Sequence, residues 1–299
     1  MKKFRKILNQ LKDIFKKILI YLKNNYKKIL IYSLLTLLAL LSVLPFLIMF
    51  INATRSSVQI EAQSLSFIPS SYLLSNWRRL MVIGSFDPFV GFRNSFIVSA
   101  SATILSVYFS SLTAYAIVAY DWKFKNAFFT IIMTVLMIPG TIAVIGFFRF
   151  MWQLGLDNNF IPLIIPAIAS PGVVFFMRQY LQATLSLEMV EAARIDGSSE
   201  FATFNKIVFP IMKPALATQA IFIMVFNWNT LFLPMVLLSG NQSRWTMPIM
   251  VAQLQGNIYR TDFGVVWLGL AITVLPLFAV YAFLSKFIIA GVALGGVKE

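Results

Sequence analysis

Glu191-Ala192-Ala193-Arg194-Ile195-Asp196-Gly197, running on through Ser198 to Phe209 and Pro210, is the stretch around which the chain is organised. After the first apolar run it is the longest polar interval with good helix formers and helix punctuation. Ser186 suits the N-cap of a helix over Leu187 to Asp196, and Gly197 suits the position just past its end. Ser198 or Ser199 can cap a second helix reaching about Val208. Apolar positions recur every three or four residues: Leu187 and Val190 on the first helix, Phe201, Phe204 and Ile207 on the second. Charge falls at Glu191, Arg194, Asp196, Glu200 and Lys206. The pattern predicts an amphipathic helical hairpin over residues 186–210, bent at a glycine and without a core of its own.

Its surroundings are apolar. Of 299 residues, 59% are hydrophobic and 12% charged, outside the range of soluble domains. Six uncharged intervals, 29–51, 94–120, 126–148, 158–177, 214–243 and 263–285, are each long enough to cross a ~30 Å hydrocarbon core as a helix of about 20 residues. The expected fold is all-α: a polytopic membrane protein of six spans, with the hairpin between spans four and five.

Charge then orients the chain. With the N-terminus inside, 18 of the 25 basic residues and all fifteen Lys fall on the cytoplasmic side, together with both termini and the Glu191 loop. Residues 1–28 hold ten Lys or Arg interleaved with Phe4, Ile7, Leu8, Leu11, Ile14 and Phe15. They read as a basic amphipathic helix along the anionic inner leaflet, or as a topology-setting tail. The net charge of +14 comes with no aromatic or Gly-rich recognition pattern, so no nucleic-acid role is read from it. Cys and His are absent, which leaves no disulfide, redox or metal site to propose and removes the commonest general base. No GxxxxGK[ST] loop occurs, so the chain is not itself an ATPase, and no catalytic residue is expected.

Within the spans, Ser95, Ser99, Thr103, Ser106, Ser110 and Ser111 mark the second as a helix interior to a bundle. Pro139-Gly140, Pro162, Pro166 and Pro171-Gly172 interrupt spans three and four, making them candidates to line a pathway, since irregular backbone at membrane depth needs protein or a water-filled cavity over it. The fifth span carries Gln219, Asn227, Trp228 and Asn229 near its middle. Such groups are costly unless paired; amides suit sugar hydroxyls and an indole suits sugar C–H faces, with helix-to-helix hydrogen bonding as the alternative. In the loop over 52–93, Trp77, Arg78, Arg79 and Leu80 predict a short interfacial helix.

The spacing Glu-Ala-Ala, three residues, Gly, then an apolar residue and Pro at Phe209-Pro210 resembles the coupling loop of permease subunits in ABC-type importers. EAARIDGSSEF, followed by IVFPIMKPALA and FNWNTLFLP, is most similar to the carbohydrate branch, the maltose-permease-like subunits. The resemblance covers Asn94 to the C-terminus, and the end at Gly295-Gly296-Val297-Lys298 adds to it. It implies a multi-pass protein of the bacterial inner membrane, paired with a second, different permease chain, two copies of a cytoplasmic ATP-binding subunit and an extracytoplasmic solute-binding protein. It implies no cofactor on this chain, with ATP and Mg held by the ATP-binding subunits. Glu191, Ala192, Ala193, Arg194, Asp196, Gly197, Phe201, Phe204 and Pro210 become candidate coupling residues, with Phe201 and Phe204 as anchors and the charged residues as a rim. Gln219, Asn227, Trp228 and Asn229 become candidate pathway residues for a sugar or oligosaccharide. A polyol, glycerol phosphate or peptide permease is the nearest alternative, and a noncatalytic membrane scaffold is a more distant one. An ion-coupled secondary transporter or channel fits less well, because no Asp or Glu lies in any of the six intervals. Arginines on the expected outer side leave an acidic saccharide open.

Overall fold

The computed structural model describes residues 2–255 and 261–295, with side chains from residue 25 to 283 apart from 141 and 256–260, and at 285. The leaflet-facing side chains expected over residues 1–24, Arg260 and the tail residues 296–299 lie outside the described side chains. In chain order the helices are α1 (Lys2–Ala53), α2 (Ser57–Ala62), α3 (Leu73–Val82), α4 (Pro88–Ala119), α5 (Lys125–Leu136), α6 (Gly140–Gln153), α7 (Ile161–Ile164), α8 (Pro171–Thr184), α9 (Leu187–Ile195), α10 (Glu200–Thr203), α11 (Phe209–Ile211), α12 (Lys213–Asn229), α13 (Phe232–Leu237), α14 (Met247–Leu254) and α15 (Phe263–Gly295). A 3-10 turn over Ile165–Ile168 joins α7 towards α8. No break at residue 28 separates the basic part of α1 from its apolar part.

Among the described residues, four helical stretches are long and apolar enough to cross a membrane, and a fifth follows if α10–α11 and α12, bent by 80°, count as one span. The expected third interval is not a single helix. It divides into α5 and α6, 12 and 14 residues long, each short of the ~20 needed. Pro139 is the cause: it has no N–H to continue the α5 ladder, and its ring disfavours helical backbone at the preceding residue. The expected fifth interval likewise stops at Asn229 and resumes as α13. Leu30, Leu34, Leu37, Leu38 and Leu41 of α1 are all more than half exposed, an apolar row suited to lipid rather than water.

α4 is the axis. At 32 residues it is about 48 Å long, and it packs against α8, α12, α14 and the 3-10 turn. Asp87 caps it, accepting from the Phe89 and Val90 N–H groups at 3.0 and 3.1 Å, with Pro88 in the first helical position. Its hydroxyls behave as expected of an interior helix. Ser99, Thr103 and Ser111 each donate to the carbonyl four residues back at 2.6 Å, which satisfies them without an outside partner.

Candidate functional site

α9 ends in a complete glycine cap. Gly197 has φ +78°, its N–H donates to the Arg194 carbonyl at 3.0 Å, and the Ser198 N–H donates to the Ala193 carbonyl at 2.9 Å. A Cβ at Gly197 would meet open space, so the demand for glycine comes from backbone conformation alone. Ser199 then caps α10, its side chain accepting from the Ala202 N–H at 3.3 Å. Ser186 holds the N-cap position of α9 without capping it; its hydroxyl turns to Glu188 at 3.5 Å.

The expected single second helix is instead three pieces. After α10 the chain widens into a π turn over Phe204–Val208, the Phe209 N–H reaching back to the Phe204 carbonyl, and α11 follows before the bend into α12. Pro210 and Pro214 supply no donors to a regular ladder, and a wide turn next to proline absorbs the mismatch.

Two kinds of residue result. Val190, Ala193, Phe204 and Val208 are buried, and Val190, Phe204 and Val208 pack with Met177, Leu181 and Met212 into one core cluster. Phe204 is 0% exposed, its ring 5.8, 5.6 and 5.8 Å from those of Tyr108, Tyr115 and Phe209. This corrects the expectation that Phe204 anchors a partner, for a side chain fully enclosed by its own chain has no surface left to offer. Ala193 is likewise turned inward. Ala192, Arg194, Asp196, Gly197 and Pro210 are exposed. Leu187, Glu191 and Ile195, spaced i, i+4, i+8, form one exposed line, and Ile195 and Phe201 are 86% and 65% exposed. Ile195 was missed by periodicity because it sits off the buried stripe.

One polar tie joins the hairpin to the far end of α4. Arg194 Nε donates to Glu200 Oε1 at 2.7 Å and Nη2 to Oε2 at 3.4 Å, while the guanidinium carbon lies 5.1 Å from the centre of the Tyr120 ring. The Tyr120 hydroxyl donates to Glu200 Oε2, as does that of Tyr115 at 3.4 Å. The Arg194 guanidinium first, and the Tyr120 hydroxyl second, hold the Glu200 carboxyl below the usual carboxylate range.

A cavity of about 930 Å³ opens beside α12, bounded by the α5–α6 break, the 3-10 turn and the start of α8. Gly140, Pro166, Pro171 and Gly172 lie on its wall, so the interruptions in expected spans three and four do line a space. Among the described residues, its polar side chains are Ser170, Gln219 and Asn227. Asn227, Trp228 and Asn229 do not share a face, since successive helical residues are about 100° apart. Trp228 is 2% exposed, stacks on Phe92 at 6.2 Å and donates Nε1–H to the Thr273 carbonyl at 3.1 Å, which corrects its expected place on the pathway: it ties α12 to α15. Asn229 is exposed outside the cavity lining, its amide donating to the Val225 carbonyl at 3.0 Å.

At the other end of α4 the segment over 52–93 forms a cap. Asn76 Nδ2 donates to the Ala53 and Arg55 carbonyls at 2.8 and 3.0 Å, and Arg55 to Asn52 and the Gln59 and Gln63 carbonyls at 2.7–2.8 Å. Arg79 pairs with Asp262 at 3.0 Å. The interfacial helix expected around Trp77 is α3, with Trp77 exposed and Leu80 buried.

Residues 106–293, which include the hairpin and the α12 wall, match the model of the binding-protein-dependent transport system inner membrane component. The chain belongs to that family. Among curated members it is 35% identical to the arabinooligosaccharides transport system permease protein AraQ of Halalkalibacterium halodurans, across 87% of this chain and 93% of that one. It is 31% identical to the lactose transport system permease protein LacG of Rhizobium radiobacter, across 89% and 94%. With the sn-glycerol-3-phosphate transport system permease protein UgpE of Escherichia coli it shares 29%, across 78% and 84%. A solved bacterial ABC transporter involved in the import of the acidic polysaccharide alginate has the same fold, with a TM-score of 0.73 at 23% identity over 88% of this chain and 97% of that one. As a binding-protein-dependent inner membrane component, the chain is a multi-pass membrane protein with a transport rather than an enzymatic role.

Proposed function

We propose that this chain is a transmembrane subunit of an ATP-driven importer that passes a sugar or oligosaccharide from an extracytoplasmic binding protein into the cell. It crosses the membrane six times, α5 and α6 together making one crossing about the Pro139-Gly140 break. Both termini and the hairpin over 186–210 lie in the cytoplasm, a placement the Lys distribution supports. A second, different permease chain closes the open flank of the cavity. Two cytoplasmic subunits bind ATP and Mg, and this chain holds no cofactor of its own. The names of AraQ and LacG support the saccharide assignment.

The observation that carries the proposal is the divided hairpin. Leu187, Glu191, Ile195 and Phe201 are exposed, a patch of apolar residues beside charge that suits the groove of another subunit. Phe204 beneath them is rooted in the core that α4, α8 and α12 share. Force applied to the exposed face therefore reaches the helix that carries Gln219 and Asn227. Closure of the two ATP-binding subunits would draw the hairpins together and switch the bundle between inward-open and outward-open states, with the loaded binding protein biasing the same switch from the opposite side.

To test this, Glu191→Lys and Gly197→Val are introduced into the reconstituted importer, and solute-stimulated ATP hydrolysis and uptake are measured. Loss of stimulation with the complex still assembled is expected. Unchanged coupled hydrolysis and transport in both variants would overturn the proposal.

A further inference from the structure

Hydrogen-bonding capacity along the cavity wall distinguishes between charge classes of solute. Among its described lining residues none is charged; Ser170, Gln219 and Asn227 stand among Gly, Ala, Pro and larger apolar side chains. Ser170 Oγ donates to the Ala167 carbonyl at 2.7 Å, so the 2.7 Å contact with Ser106 Oγ has Ser106 as donor. A hydroxyl has one proton and two lone pairs, which leaves Ser170 a single lone pair and no proton. Asn227 Nδ2 donates to the Ile223 carbonyl at 2.9 Å; the flipped amide would set oxygen against oxygen. Its Oδ1 and one N–H stay available. Gln219, two turns earlier on the same face of α12, makes no hydrogen bond among the described residues and offers both amide ends.

The wall thus presents acceptors mixed with neutral donors and no cation. A sugar hydroxyl, which both donates and accepts, matches that mixture. A carboxylate or phosphate can only accept, so it would meet the Ser170 lone pair and Asn227 Oδ1 unfavourably, with only the neutral amide N–H groups of Asn227 and Gln219, and no cation, to offset its desolvation. Of the arginines that left an acidic solute open, three are engaged elsewhere, Arg55 with Asn52, Gln59 and Gln63, Arg79 with Asp262, and Arg244 with the Asn158 carbonyl, and none lines the cavity among the described residues.

We infer that the pathway wall supplied by this chain is built for an uncharged, hydroxyl-rich solute and disfavours anionic ones, with Asn227, Gln219 and Ser170 setting that preference. The inference rests on the importer reading above and names the solute class for the same cavity. In this it departs from what the names of UgpE and the alginate importer say of those proteins.

The test uses the complete importer in proteoliposomes, with the binding protein present, and matched probes: neutral arabino- and galacto-oligosaccharides, the corresponding oligogalacturonate, and glycerol 3-phosphate. ATP-dependent uptake of a neutral oligosaccharide is expected at a rate at least about tenfold above either anion. Asn227→Leu and the near-isosteric Ser170→Ala should each raise the KM for that oligosaccharide by roughly threefold to tenfold, the effect of one hydrogen bond. Anion uptake equal to neutral uptake would overturn the inference, as would an unchanged KM in both variants. Absence of ATP-dependent uptake for every saccharide would instead overturn the importer reading, and the inference with it.

Discussion

At its Asp87 end α4 meets a cap built on the buried polar groups of Asn76 and Arg55, and beyond its Ala119 end it meets a hairpin built on a buried aromatic root; each end also carries a partly exposed ion pair. In the cap, Asn76, Arg55, Arg79 and Asp262 interlock α1, α2, α3 and α15 through hydrogen bonds to backbone carbonyls and one salt bridge. α15 comes so close that a Cβ at Gly264 would stand 2.6 Å from the Arg55 carbonyl. In the hairpin, a buried aromatic root carries an exposed head, and Arg194–Glu200 with Tyr120, and the Tyr108 hydroxyl donating to Asn205 Oδ1 at 3.2 Å, are polar ties to α4. Both ends leave apolar side chains uncovered, but one is cross-tied by buried polar groups and the other stands on buried aromatic packing that leads into α4, α8 and α12. We read that difference as a lever, with a polar-tied end and an end whose root passes force into the bundle.

The largest effect expected is at the hairpin root. Phe204→Ala removes a fully buried ring and should cost about 3–5 kcal/mol, read as a lower melting temperature of the purified protein; a change of under ~1 kcal/mol would mean that the root does not hold the hairpin. Next comes the cap. Asn76→Ala strips two carbonyls of their donor and Arg79 of an acceptor, for an expected loss of about 2–3 kcal/mol in the same melt. Gly197→Val forces a β-branched residue into the left-handed region at roughly 1–2 kcal/mol, and it should raise hydrogen exchange over 187–203 while leaving the cap unchanged. Exchange rising equally in the cap would erase the distinction between the two ends.

The smallest effect is the titration of Glu200. Its pKa is lower in the folded chain than when unfolded, so the tie to Arg194 and Tyr120 is fully present at neutral pH and is lost as pH falls through that lowered value, below the usual carboxylate range of about 4. Hairpin exchange protection should fall there, and Glu200→Gln should flatten the dependence.

Much of this was legible in the residues. Gly197 marked the turn, Pro139-Gly140 marked the break in the third interval, and the hydroxyls of α4 marked an interior helix. Periodicity could not separate Phe201 from Phe204, because it says which residues share a side and not whether that side meets the same chain or another. Three polar residues in a row at 227–229 likewise concealed that only Asn227 turns to the cavity. The partner of Arg79 could not be read either, since Asp262 is distant in sequence and the contact exists only once α3 and α15 pack.

The lever is tested most directly with single cysteines, since the chain has none of its own. Phe201→Cys in the hairpin and Val82→Cys in the cap, where Val82 is 85% exposed, are labelled with a membrane-impermeant maleimide, with and without the ATP-binding subunits. Expected is labelling of the Phe201→Cys variant from the cytoplasmic face only and its protection on assembly, with the Val82→Cys variant reached from the opposite face and unaffected. Phe201→Cys labelling that is identical in the free and assembled protein would contradict it.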